Sequence, residues 1–175
     1  MRNFALRGLT PADAPGVAAV IRAAFADQGS LTEPPSSALR ENAEAVAGKI
    51  AAGGGAGLEA AGEWVGAVLW TPQDDALYVG RLAVAPAGRG QGLAARLIAE
   101  AEVFARERGF KRLRLHARLA LPMNRRLFAR LGFTEVERRA HPGYDEPTFV
   151  VMEKPIADRP PAVIRADGDS RGERQ

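Results

Sequence analysis

The stretch Arg81 to Ile98, RLAVAPAGRGQGLAARLI, constrains this chain more than any other, because within eighteen residues its pattern passes from strand through a glycine-rich turn into a helix. Leu82, Ala83 and Val84 end an apolar β-type run. Pro86 cannot donate to a ladder and closes that run, while Gly88, Gly90 and Gly92 leave the following backbone unshielded. From there Leu93, Ala94, Leu97, Ile98, Ala101, Phe104 and Ala105 recur at i, i+3, i+4 spacing, the buried stripe of a helix. The first amides of that helix point back into the turn. Four unpaired N–H groups, the positive end of the helix dipole and Arg89 in the loop together suit a polyphosphate anion, and pyrophosphate is the natural guest.

Other phosphate-loop readings fit less well. Gly90-x-Gly92-x-x-Ala95 is a relaxed dinucleotide fingerprint, but the next strand pattern, Leu113 to Leu119, ends without the acidic residue that a ribose requires. No Lys-Ser/Thr pair follows the glycines, which excludes a Walker A loop. The separate run Gly53-Gly54-Gly55 follows a helical pattern instead of opening one, so it reads as a helix cap and turn.

The segment VAPAGRGQGLA resembles motif A of the GNAT superfamily of N-acetyltransferases, with Arg89, Gly92 and Ala94 filling its Q/R-x-x-G-x-G/A core. A second match follows at the expected distance: Met123 to Phe133, MNRRLFARLGF, is similar to the family's N-x-x-x-Y-x-x-L-G-F segment, with Phe128 where tyrosine is usual. The resemblance implies an α/β fold with a mixed, mostly antiparallel sheet, splayed central strands and flanking helices. It implies acetyl-CoA as cosubstrate and no metal. Its pyrophosphate would lie on the loop Arg89, Gly90, Gln91, Gly92, Leu93 and Ala94, and its pantetheine arm along the backbone of Leu82, Ala83 and Val84. Asn124 matches the asparagine that hydrogen-bonds the arm, and Phe128 belongs to the same wall. Arg125, Arg126 and Arg130 are candidates for the 3′-phosphate, or for a solvated face.

The departure at Phe128 matters, because a phenyl ring cannot protonate a departing thiolate as the family tyrosine often does. The family's occasional glutamate base would fall near Tyr78, a poor base with an ordinary pKa of about 10. His116, His141, Tyr144 and the Asp145-Glu146 pair remain. Tyr144 is favoured as the catalytic group, since in the resembled family the loop between the last two strands reaches the acceptor side of the thioester. The implied reaction is direct attack of a primary amine, on a small molecule or peptide. The alternative is a non-catalytic CoA-binding or sensor domain of the same fold.

The 175-residue chain suits one globular domain, placed at residues 1–156. Residues 157–175 have two adjacent prolines, balanced charges and almost no apolar side chains, and read as a disordered tail. With no cysteine and two histidines, disulfides, a thiolate nucleophile and a Cys-based zinc site are excluded and a metal cluster is disfavoured. There is no signal-peptide pattern and no apolar run of membrane-spanning length, so a cytoplasmic location and no membrane partner are expected. Residues 1–80 carry five basic and nine acidic side chains, and residues 81–156 fifteen basic and eight acidic. A basic half can bind nucleic acid, but few aromatics accompany it, and a phosphorylated cofactor explains the asymmetry better. The acidic N-terminal half hints at a cationic acceptor. Dimerisation is common in the resembled family, and no residue here decides it.

In order, the patterns predict a strand at Asn3 to Arg7, a helix after Thr10-Pro11, a second helix capped by Ser36 or Ser37, and a hairpin from Leu58 to Trp70. A turn at Thr71 to Asp75 and a strand from Leu77 to Val84 feed the glycine loop and its helix. A half-buried strand at Leu113 to Leu119, a short helix after Pro122, and strands at Thr134 to Arg139 and Thr148 to Glu153 complete the domain. The connection at Asp27 to Pro35, the Thr71 to Asp75 turn and the Ala140 to Pro147 loop are expected to line the acceptor pocket.

Overall fold

The computed structural model describes residues 3–26, 28 and 32–158; the expected tail from residue 159 onward and most of 27–31 lie outside the described residues. The elements run β1 (Ala5–Gly8), α1 (Ala14–Phe25), α2 (Ala43–Ala52), β2 (Gly54–Ala60), β3 (Glu63–Gln73), β4 (Ala76–Val84), α3 (Leu93–Glu107), β5 (Arg112–Arg118), α4 (Pro122–Arg130), β6 (Thr134–Arg139) and β7 (Phe149–Pro155). One seven-stranded sheet has the order β1-β2-β3-β4-β5-β7-β6, antiparallel except where β4 meets β5. This is the predicted element order.

Each face of the sheet carries its own core, because strand alternation sends successive side chains to opposite sides. Val68 and Trp70 of β3 and Leu77 and Val79 of β4 meet Leu93, Leu97, Ile98 and Ala101 of α3. Ala67, Leu69 and Ala83, from the same strands, meet Val17, Ile21 and Ala24 of α1 and Val46 and Ile50 of α2. The chain enters α1 through a short 3₁₀ turn at Pro11–Asp13 with a reciprocal Thr10 and Asp13 capping box. Asp13 also takes a bidentate contact from Arg7, which holds its carboxyl down to about 2.

Three local expectations need correction. The segment after Ser36 is not one helix. Ser36 caps a 3₁₀ turn over Ser37–Arg40, the chain extends at Glu41, and Asn42 caps α2 through its side chain to the Ala45 N–H. Gly53 does cap α2, but Gly54 and Gly55 are the start of β2, not a turn. Neighbouring atoms leave no room for a side chain there: a Cβ on Gly54 would lie 2.7 Å from the Trp70 indole nitrogen, one on Gly55 2.5 Å from the Val68 carbonyl oxygen and one on Gly57 2.3 Å from the Trp64 ring. β3 continues through Thr71 and Pro72 to Gln73, so the turn narrows to Asp74 and Asp75.

The sheet is irregular where β4 approaches the glycine turn. Ala67 pairs with Ala83 and Leu69 with Gly80, so Arg81 and Leu82 both stand opposite Val68, a bulge. Arg81 adopts φ +52°, uncommon for a side chain with a Cβ. A tether holds it: Arg81 Nε donates to Glu41 Oε1 at 2.8 Å and its Nη2 to Ser37 Oγ at 2.8 Å. Glu41 is only 4% exposed; it also receives Lys49, and its backbone oxygen accepts from Arg22 at 2.6 Å.

Candidate functional site

Parallel pairing of β4 with β5 lasts only from Ala76 to Tyr78. Beyond it the strands diverge, β5 stays paired with β7 through Arg118, and the β5-facing edge of Val79 to Val84 has no strand partner among the described residues. A cavity of about 680 Å³ occupies the gap, within the range of small-molecule sites. At one end are Gly88, Arg89, Gly90 and Gly92 and the first turn of α3; at the other are Tyr78, His116, Arg118 and His141.

The turn has the form anticipated from its glycines. Pro86–Gly88 make a 3₁₀ turn, and Gly90 and Gly92 have φ +77° and +72°. A Cβ at either position would meet nothing within 4 Å, so those glycines border open space at the N-terminus of α3. Arg89 donates to the Ala24 carbonyl at 3.0 Å, which ties the turn to the end of α1. Gln91 is directed at the Ala87 carbonyl, 3.3 Å away.

Of the residues singled out in the sequence, Leu82, Val84, Arg89, Gly90, Gly92, Ala94, Asn124 and Phe128 line this cavity together. Ala83 and Leu93 are buried beneath it, 2% exposed each. Asn124 Nδ2 reaches Gln28 Oε1 at 3.4 Å across the opening between α1 and α4. Phe128 packs edge-on against Phe133, with ring centroids 6.0 Å apart. Arg125 is engaged by Glu135 at 2.8 Å, whereas Arg130 lines the cavity. Tyr144 stands on the loop between β6 and β7, exposed, and its hydroxyl donates to Glu33 Oε2 at 3.2 Å. That hydroxyl's pKa is raised by loss of water and by the Glu33 carboxylate.

The acceptor-side expectations divide. The connection after α1 contributes Gln28 and Thr32 and the β6–β7 loop contributes His141. The Asp74-Asp75 turn lies at the opposite end of β4, where Asp75 pairs with Arg112 at 2.9 Å. Three features of the wall had only weak signals in the sequence. Tyr78, His116 and Phe149 form a ring array, with centroids 5.1 and 4.8 Å apart, and His141 adds to it at 4.8 Å from Phe149. Burial, then the charges of Arg139 and Arg114, push the His116 pKa below its usual 6.5; burial and Arg118 do the same to His141. Both imidazoles are therefore mostly neutral at pH 7. Arg118 was marked in the sequence only by the alternation that sets it on one face with Arg112, Arg114 and His116.

Residues 21–133 match the acetyltransferase (GNAT) family, and the chain belongs to that family. The fold agrees. The PaiA N-acetyltransferase from Thermoplasma acidophilum, solved in complex with coenzyme A, superposes with a TM-score of 0.73 at 16% identity, over 87% of this chain and 99% of that one. The ribosomal-protein-S18-alanine N-acetyltransferase from Escherichia coli gives 0.69 at 20% identity, over 92% and 99%. A GNAT-family acetyltransferase from Staphylococcus aureus gives 0.72 at 9% identity, over 89% and 100%. No curated protein sequence matches the chain at a significant level. Among the described residues no helix is long and apolar enough to cross a membrane, and no group of His, Asp and Glu is arranged to hold a metal.

Proposed function

We propose that this protein is an acetyl-CoA-dependent N-acetyltransferase that acts on a primary amine by direct transfer, with no acyl-enzyme. The observation that carries this reading is the unpaired edge of β4, which opens onto the glycine turn at the head of α3. The residues fit the cofactor. Backbone groups of Leu82, Ala83 and Val84 would hold the pantetheine arm, with Asn124 and Phe128 on the facing wall. The amides of Arg89, Gly90, Gln91, Gly92, Leu93 and Ala94 would hold the pyrophosphate, where two glycines leave room for it. Bound there, acetyl-CoA supplies an acetyl thioester to the amine. A relative of the same fold, the PaiA enzyme, was solved with coenzyme A.

The chain has no cysteine, which fits a mechanism of positioning and proton transfer. A primary amine with a pKa near 10 must lose a proton before it attacks. His116, neutral at pH 7 and in the cavity wall, accepts that proton at an imidazole nitrogen. The Tyr144 hydroxyl, outside the residues that line the cavity and donating to Glu33, is the proton donor proposed for the leaving group, and it would have to turn from Glu33 to serve it. His116→Ala and Tyr144→Phe are each expected to lower kcat about 100-fold, the usual contribution of a general base or acid. Because the His116 pKa is depressed, its loss should also remove an acid limb that lies below pH 6.5 in the wild-type rate profile. A fully active Tyr144→Phe enzyme would hand the leaving-group proton to water.

The reading as a whole is tested by thermal melting with acetyl-CoA, NAD and ATP in parallel. Acetyl-CoA at one hundred times Kd should add about 2.7 kcal/mol, a rise of about 5–10 °C for a domain of this size. A rise with NAD and none with acetyl-CoA would overturn it. Phe128 favours a second reading, a CoA-binding domain without turnover, because its ring cannot donate a proton. Release of free thiol with a panel of amines separates the two.

A further inference from the structure

The cavity wall is cationic. Among the described residues lining the whole cavity there are four arginines, 81, 89, 118 and 130, and no aspartate or glutamate. Arg81 is occupied by Glu41 and Ser37, and Arg89 by the end of α1. Arg118 differs. It is half-buried at the end of β5, between the Pro34 segment and the β6–β7 loop, and its Nη1 donates to the Pro34 carbonyl at 2.8 Å. No carboxylate among the described residues forms an ion pair with it, and its Nε and Nη2 donors have no partner there. Arg112 and Arg114, on the same face of β5, do have one: both reach Glu153, at 3.4 and 2.8 Å. Glu33, next to Pro34, is engaged by the Tyr144 hydroxyl.

A guanidinium stripped of part of its water and given only a neutral carbonyl is a costly arrangement, and burial pulls the Arg118 pKa below its usual value, with only Tyr144 opposing. An anion in the cavity would relieve it. The free Nε and Nη2 donors form the planar fork that fits a carboxylate or phosphate with two parallel hydrogen bonds. Resting on the acetyltransferase reading, we infer that Arg118 anchors an anionic group of the acceptor. The acceptor is then an amine carrying a carboxylate a few bonds from its nitrogen, as in a free amino acid, and not a polyamine. This departs from the expectation of a cationic acceptor, because no described acidic residue of the N-terminal half lines the cavity.

The test compares the twenty amino acids with their C-terminal amides, with O-phosphoethanolamine and with spermidine as acceptors. Amino acids should exceed their amides in kcat/KM by about 100-fold, the scale of a charge-assisted bidentate contact. A comparable rate with O-phosphoethanolamine would identify phosphate as the anion instead. Arg118→Gln should bring the ratio of amino acid to amide close to one, and Arg118→Lys should restore part of it. If Arg118 only holds the Pro34 segment, both classes weaken together, the ratio survives, and the inference fails. Equal or better use of amides or spermidine by the wild type also overturns it. Calorimetric titration of amino acids into the protein saturated with CoA keeps the two readings apart. Arg118-dependent binding without turnover supports the anchor and removes the transferase, and turnover without discrimination does the reverse.

Discussion

Replacing Glu41 with alanine is expected to lower the stability of the fold by about 3–5 kcal/mol, the range for removing one partner of a buried ion pair. For a domain of this length that is a fall in Tm of roughly 6–20 °C. Among the described residues Glu41 is the carboxylate that pairs with Lys49 and with Arg81, whose Nε lies 2.8 Å from it, and its loss leaves both cations unmatched there beside the α1–α2 core. Arg81 would also lose the contact that offsets its positive φ at the β4 bulge. The same carboxylate links stability to pH. Burial alone would raise its pKa, but the hydrogen bonds from Lys49 and Arg81 more than reverse this, so it ends below its ordinary 4.5. Its contribution is therefore complete above about pH 4.5 and is lost as the pH falls further, and Glu41→Gln should flatten that acid limb. Thermal melts from pH 7 to pH 3 read both effects, and an unchanged Tm at pH 7 would show that the network contributes nothing.

The second large effect is on ligand binding. Gly92→Val should weaken acetyl-CoA binding by at least about 100-fold while leaving a folded protein with a loss of about 1–3 kcal/mol from backbone strain. Gly92 precedes α3 at φ +72°, a region a β-branched residue enters only with strain, and its missing Cβ faces open space instead of packed atoms. The added side chain would therefore stand where an anion must approach the first amides of α3. Circular dichroism establishes the fold and calorimetry the affinity. Retained affinity in a folded variant would place the pyrophosphate elsewhere.

The sequence made legible those parts of the molecule whose physics is local. Alternating glycines with Pro86 before them and a helical stripe after them specify the turn at Arg89 to Ala94, because φ above zero and unshielded amides are properties of a few adjacent residues. The alternation from Leu113 to Ala117 likewise specifies which face of β5 is buried. What was illegible depends on residues far apart. Glu41 and Arg81 are separated by forty positions and Arg118 and Pro34 by eighty-four, so nothing in either neighbourhood marks the pair. The glycine run at Gly53 to Gly55 is illegible for the same reason: what crowds it is the facing strand, the Trp70 backbone and indole at Gly53 and Gly54 and the Val68 carbonyl at Gly55, which no local pattern reveals. Thr71-Pro72 has the residues of a turn, yet pairing with Tyr78 and Leu77 keeps it in β3 and leaves the turn to Asp74-Asp75.

The brevity of the contact between β4 and β5 has a mechanical consequence. Strands β1 to β4 form one plate and β5 to β7 another, and among the described residues the plates are joined within the sheet by the three-residue neck at Ala76, Leu77 and Tyr78. Any rotation at that neck, against the core the two plates share under α3, would be amplified toward the mouth of the gap, as at the tips of a pair of tongs. A long guest laid along the gap would act as a splint between the plates. Those amides of Val79 to Val84 that face the gap and not β3 would be the first to record it as slowed exchange with solvent.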